Sequence, residues 1–186
     1  VKDSSAHAVA SMHKLGLKTV MLTGDAPGPA QAVATELGID SVVANVRPEH
    51  KLDHIVQLQE AGEDVAMVGD GVNDAAALAQ ANLGVAMGEG TDAAIAASDV
   101  TLTRSDPATI PAAIRLSRMG VGLIKVNLFW AFSYNLVMIP FAVFGKLDPM
   151  IAGQAMAMSS ILVVLMSLVS VVPMSRVLER TMQGRA

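Results

Sequence analysis

The chain has 186 residues, 52% of them hydrophobic and 16% charged, with a formal charge of −4 and no cysteine. The acidic balance leaves no electrostatic footprint for nucleic acid, and the lack of cysteine excludes a disulfide framework or a thiolate metal site within these residues. Mean hydropathy is +0.48, high for a soluble protein, and between residues 121 and 172 only Lys125, Lys146 and Asp148 carry charge. The first two-thirds therefore reads as an ordinary soluble domain and the last third as membrane.

No signal-peptide pattern precedes the first helix, and the chain, which starts at Val1, reads as the C-terminal part of a longer protein. Residues 3–15 have helical spacing, closed by Gly16. The β-branched and apolar run LKTVML predicts a strand that ends in Thr23-Gly24-Asp25. PGPAQAVATEL predicts a helix stopped by Gly38, SVVANV a second strand, and Pro48 opens a helix stopped by Gly62. DVAMVGD, LGVAM and VTLT predict three more strands, separated by the short helices NDAAALAQA and GTDAAIAASD. DPATIPAAIRLSRMG then leads into the apolar third. Strands alternating with helices predict parallel βαβ units in a doubly wound sheet, an α/β fold.

In such sheets the working residues lie at the carboxyl ends of the strands. Thr23, Gly24 and Asp25 follow the first strand, and Asp70, Gly71, Asn73 and Asp74 follow the third. This set suits phosphoryl chemistry. A hard cation such as Mg²⁺ takes carboxylate and phosphate oxygens, which suits Asp70, with Asp74 holding its water shell or orienting Asp70's surroundings. Asn73, the Thr23 hydroxyl and the Gly24 N–H can donate to phosphoryl oxygens, and Lys51, one turn into its helix, can neutralise transferred charge. A lone GDG is more simply a strand-to-helix turn; TGD, Pro-x-x-Lys and GDGVND in that order are harder to explain that way.

Residues 121–144 and 151–172 each exceed the roughly 20 apolar residues that span a bilayer core, and GKLDPM between them predicts a hairpin. Arg115, Arg118 and Lys125 flank its entrance and Arg176, Arg180 and Arg185 its exit, which places both ends and the soluble domain in the cytoplasm. Within the spans, Tyr134, Asn135, Met156, Ser159 and Ser160 stand out, because polar groups at membrane depth are functional candidates and thioethers suit Cu(I). Helix packing is the competing explanation, and for Ser160 the two stand about level. His50 and His54 sit four apart but lack a third ligand nearby and read as a solvated face. His7, His13, Arg104 and Glu89 read as surface. Met138 and Met158 read first as packing, with a copper path as the alternative. Pro140 is expected to kink its helix.

MLTGD, RPEHK and VAMVGDGVNDAAALAQANLGVAMGEGTDAAIAASDVTL together resemble the phosphorylation domain of P-type ATPases, over nearly the whole chain. The resemblance implies a haloacid-dehalogenase-like, Rossmann-type phosphorylation domain with a parallel sheet over residues 1–118, two transmembrane helices within 119–174 and a cytoplasmic tail at 175–186. It implies that Asp70 is the Mg²⁺ ligand, Lys51 the phosphate-binding lysine, and Thr23 and Gly24 phosphoryl contacts. The family's TGDN is here TGD-Ala26. Its phosphorylated aspartate lies in DKTGT, which is not in this chain, nor are the nucleotide-binding domain, which would hold most of the ATP, or a TGE-type loop. The DKTGT strand is expected at the centre of the sheet, and the chain alone is expected to be inactive. Tyr-Asn followed by Met-x-x-Ser-Ser is similar to the copper subclass, whose remaining Cys-Pro-Cys ligands would lie on an earlier helix. Expected partners are membrane lipid, the N-terminal part of the same pump and a cytosolic copper donor. The cargo is Cu(I), with Ag(I) as an alternative. The competing readings are a non-catalytic membrane-anchored regulator of the same fold and a pump for another heavy metal.

Overall fold

The computed structural model describes residues 4–88, 90–145, 148, 150, 152–154, 156–158 and 160–168. The chain divides into two compact units, Val1–Pro111 and Ala112–Ala186. In the first, α1 (Ser5–Lys14), β1 (Val20–Leu22), α2 (Pro27–Leu37), β2 (Ser41–Val43), α3 (Pro48–Glu60) and β3 (Ala66–Gly69) follow in order. A single 3₁₀ turn at Val72–Asp74, α4 (Ala75–Gln80), β4 (Leu83–Met87), α5 (Asp92–Ala96) and β5 (Val100–Leu102) complete it. The elements fall where the periodicity and stop signals predict. Proline opens both α2 and α3, where its missing N–H loses no hydrogen bond. Gly38 ends α2 at φ 74°, a left-handed conformation that a side chain would strain.

All strand pairs are parallel, as the βαβ order requires. The expected single sheet, however, is divided. β1 pairs with β2, and β3, β4 and β5 form a separate ladder in that order. No ladder joins β1 to β3 among the described residues, yet Leu22 at the end of β1 packs on the core of the other sheet's helices. That core is Ile55, Met67, Ala77, Leu78 and Ala94. Its two alanines, Ala77 and Ala94, let their helices approach the strands closely. β4 is central in its ladder, and its Gly84, Val85 and Ala86 are all buried, the continuous burial expected of a strand covered on both faces.

The second unit is helical. α6 (Thr109–Val143) runs for 35 residues without a break, about 52 Å at 1.5 Å per residue, well beyond a bilayer core of about 30 Å. The sequence separates a lead-in from a span beginning at 121; the structure makes them one helix. Pro111 lies in the first turn, where proline is tolerated, and neither Gly120 nor Gly122 interrupts the helix. Pro140 sits inside the helix, close to its end. α6 is long and apolar enough to cross a membrane, and none of its most apolar window is buried in the protein, unlike the core helix of a soluble domain. A second apolar helix, α7 (Ala152–Leu168), follows. Residues 169–172 of the second expected span, and the basic residues after it, lie outside the described residues.

Candidate functional site

The Thr23–Asp25 loop leaves the C-terminal end of β1 and is shaped by its own hydrogen bonds. The Thr23 hydroxyl donates to Asp25 Oδ2 at 2.9 Å, and the Asp25 N–H donates to Thr23 Oγ1 at 3.1 Å. The loop after β2 pins it. Asn45 N–H donates to the Asp25 carbonyl and Val46 N–H to the Thr23 carbonyl, both at 2.9 Å. Asn45 takes φ 53°, a conformation asparagine tolerates better than most residues. Because this same loop leads directly into α3, the TGD turn and Lys51 share one scaffold.

Lys51 reaches across to the GDGVND loop. Its Nζ lies 2.6 Å from Asp74 Oδ1, with the Lys51 side chain 18% exposed and that of Asp74 11% exposed. The other oxygen of Asp74 accepts the Gly71 N–H at 3.4 Å. Gly69 leaves room for this arrangement, since a Cβ there would stand 2.8 Å from Cβ of Asp74. Asp70 and Asn73, by contrast, are exposed, and the Asp70 carboxylate takes no hydrogen bond or ion pair among the described residues. The Asp70 backbone is fixed instead, its carbonyl accepting the Thr91 N–H at 2.9 Å. Thr91 is also the N-cap of α5. The structure therefore brings Lys51, Asp74 and Gly71 into contact and presents Asp70 beside them. No hydrogen bond joins the Thr23–Asp25 loop to this group among the described residues.

In the apolar unit, Asn135 is exposed on α6, its amide donating to the Ala131 carbonyl at 2.9 Å. Met156 on α7 is 67% exposed, and Ser160 donates back to the Met156 carbonyl at 3.2 Å. Tyr134 lies within α6, but its side chain and Ser159 lie outside the described residues. The polar side chain that does cross between the helices is Asn127, whose Nδ2 donates to Ser167 Oγ at 3.0 Å. His50 is exposed and His54 half-buried on α3, with no cluster of three metal-binding side chains among the described residues. His13 is exposed, as a surface residue should be, and bonds Thr19 and Asp40.

A family model described as haloacid dehalogenase-like hydrolase matches residues 1–82. A cation-transporting P-type ATPase B of Mycobacterium bovis is 52% identical over 168 residues, covering 90% of this chain and 22% of that protein. A copper-exporting P-type ATPase of Staphylococcus saprophyticus is 53% identical over 164 residues, covering 88% and 21%. Among solved structures, a zinc-transporting PIB-type ATPase in its E2.Pi state matches with a TM-score of 0.84 at 33% identity, over 91% of this chain and 28% of that one. Over about nine-tenths of its length the chain is similar to part of these P-type ATPases. It spans about a fifth of the length of the curated relatives it matches.

The open carboxylate of Asp70, whose backbone carbonyl accepts the Thr91 N–H, is a hard oxygen donor of the kind that fits Mg²⁺. Asp74, a second candidate from sequence, has one oxygen in the ion pair with Lys51 and the other on a backbone N–H; in this structure it anchors the lysine. Spacing alone does not separate these two roles, because both aspartates follow the same strand. Asn45 and Val46 act through backbone groups and carry no side-chain signature, whereas Thr91, whose N–H holds Asp70, also caps α5 with its hydroxyl, a signal that the sequence does carry. Asn127 had a signal: it is a polar residue at membrane depth, the criterion that singled out Asn135.

Proposed function

We propose that this chain is part of an ATP-driven Cu(I) export pump that works through an aspartyl-phosphate intermediate, with Ag(I) as an alternative cargo. The observation that carries the phosphoryl half of the reading is the buried Lys51–Asp74 pair beside the open carboxylate of Asp70. Asp74 holds the ammonium in place before substrate arrives, so Lys51 is ready to meet phosphoryl oxygens without reorganisation. The exposed Asn73 amide and the Gly24 N–H would supply further donors at the strand ends, and the Thr23 hydroxyl would join them by turning from Asp25, to which it donates here. Mg²⁺ held at Asp70 would neutralise phosphate charge. The nucleophilic aspartate and most of the ATP contacts would come from an N-terminal part of the pump, whose DKTGT strand would lie between β1 and β3 and join the two ladders.

The cargo reading rests on the uncharged character of the helical pair. Past Lys125, neither α6 nor the described part of α7 carries an acid or a lysine, whereas Met156 and Asn135 are open at membrane depth. Soft thioethers favour Cu(I) over divalent zinc. A zinc pump is the second reading, favoured by the zinc-transporting structural relative. The basic residues flanking the spans in sequence favour, by the positive-inside rule, a cytoplasmic side for the first unit and the C-terminus, where a copper donor protein would load the pump.

The test is the phosphoenzyme level of the full-length protein, formed from ATP with and without Cu(I) and from inorganic phosphate without metal. Asp70→Ala should abolish both. Met156→Leu keeps volume and apolarity and should lose only the copper-dependent reaction, because the membrane site and the catalytic domain bias one shared equilibrium. Stimulation of the unmodified pump by Zn²⁺ and not by Cu(I) would favour the second reading.

A further inference from the structure

The hydrogen bond from Asn127 to Ser167 fixes how α6 and α7 are aligned, and that alignment reaches a residue with no role so far. A contact between residues 40 apart on two successive helices requires that they run antiparallel, since a continuous course would separate them by about 60 Å, and one contact then sets the register of the rest. Eleven residues of α-helix rise about 16.5 Å and turn through three full turns plus about 20°. Eleven residues beyond Asn127 is Met138; eleven before Ser167 is Met156. Each methionine therefore lies on the same helix face as its half of the hydrogen-bonded pair, and both lie at the same depth. The seam passes through Met138, which is half-buried while its neighbours Val137 and Ile139 are 57% and 60% exposed. Met156 is 67% exposed, at the open edge of that seam. One turn away on α6 is Asn135, and one turn away on α7 is Ser160.

We infer that Met138 is a second thioether ligand for a soft monovalent cation, facing Met156 across the seam, and that Asn127–Ser167 is the clamp that keeps the two sulfurs level. This rests on the Cu(I) reading above. Two neutral sulfurs with no carboxylate nearby suit Cu(I) or Ag(I) and offer little to a divalent ion that prefers nitrogen or oxygen. Methionine at 138 is flexible enough to swing between packing and ligation, which suits a site that must release its ion. The hydroxyl and amide of the clamp are neutral, so they fix geometry without adding charge that would retain the metal.

The experiment uses the full-length pump in detergent. Cu(I) affinity is measured by competition with a chromogenic chelator for the unmodified protein and for Met138→Leu, Met156→Leu and Ser167→Ala. Phosphorylation from inorganic phosphate reports that each variant is folded. Met138→Leu and Met156→Leu should each weaken Cu(I) binding on the order of tenfold or more, and Ser167→Ala by less, the scale of losing groups that hold or orient a metal. A measurement on the unmodified protein stands beside these. Ag(I) should protect Met138 and Met156 from oxidation to the sulfoxide, read by mass spectrometry, while Met158, about 200° round the helix from Met156, stays reactive. If Met156→Leu weakens binding while Met138→Leu binds Cu(I) like the unmodified pump, or if Ag(I) fails to protect Met138, the second ligand is refuted and the Cu(I) reading stands. Absence of Cu(I) binding by the unmodified pump would overturn both.

Discussion

Ala26 is the N-cap of α2, with extended backbone (φ −64°, ψ 152°) and no side chain to meet the first-turn N–H groups. The family's asparagine at this position would supply that acceptor. Ala26→Asn is expected to stabilise the soluble unit by about 1 kcal/mol, read as a rise in the midpoint of thermal unfolding, with phosphoenzyme formation by the full-length pump maintained. A fall in stability would show that the loop is packed against a side chain at this site. Asp74→Asn acts in the opposite direction. It leaves the Lys51 ammonium, largely shielded from water, without its counter-charge. Removing one partner of a fully buried pair costs about 3–5 kcal/mol, and the residual exposure here lowers the expected loss to about 2–3 kcal/mol. Mg²⁺ affinity should change less in Asp74→Asn than in Asp70→Ala, because Asp70 carries the open carboxylate. Equal losses of Mg²⁺ affinity would return Asp74 to the metal shell. Lys51→Ala should lower turnover at least about a hundredfold, the scale of losing one preorganised charge contact.

At the scale of elements, Asp40 ties three of them together at the end of the sheet away from the candidate site. Its carboxylate accepts the Thr19 N–H at 2.7 Å and the Thr19 hydroxyl at 2.9 Å, and His13 Nε2 lies 3.0 Å away. The Thr19 N–H and then its hydroxyl hold the Asp40 carboxyl below the usual carboxylate range against the opposing effect of desolvation, with a lesser contribution from the nearby His13. A group whose pKa is lower in the folded than in the unfolded chain stabilises the fold above the unfolded value, near 4, and that contribution fades as pH falls through the folded value. Asp40→Asn should therefore lower the unfolding midpoint at pH 7, and the gap to the unmodified protein should narrow below about pH 4. A constant gap down to pH 2 would mean that Asp40 acts by shape and not by charge. Within the α/β unit the element boundaries were largely legible in the sequence, although the start of α6 at Thr109 was not. Pro27 and Pro48 open helices, Gly38 closes one, and the apolar runs ending in TGD and GDG are strands. The strands are shorter than those runs, because a residue counts as strand only where a partner is aligned beside it.

For the molecule as a whole, the split between β1–β2 and β3–β4–β5 leads to an expectation for the 186-residue chain by itself. It should not hydrolyse ATP, with or without Cu(I), since no DKTGT aspartate is present to accept phosphate and the two ladders are not joined. Under the proposed reading, mixing it with a polypeptide that carries a DKTGT strand is the complementary measurement, and turnover by the mixture would show that the two ladders accept a strand between them. Metal-stimulated turnover by the chain alone would exclude the aspartyl-phosphate reading.

The sequence by itself determined the α/β order, the apolar third and the identity of the chemically able residues, because periodicity, helix stops and residue type are local properties. Only the tertiary structure decided which of those residues act on one another. Asp70 and Asp74 are alike in sequence, four residues apart on one loop; that Asp74 is held by Lys51 while Asp70 stays open depends on where α3 crosses the end of β3. Met138 and Met156 likewise gain a relation only through the Asn127–Ser167 contact, since register between two helices depends on side chains 40 residues apart, beyond the reach of any local pattern.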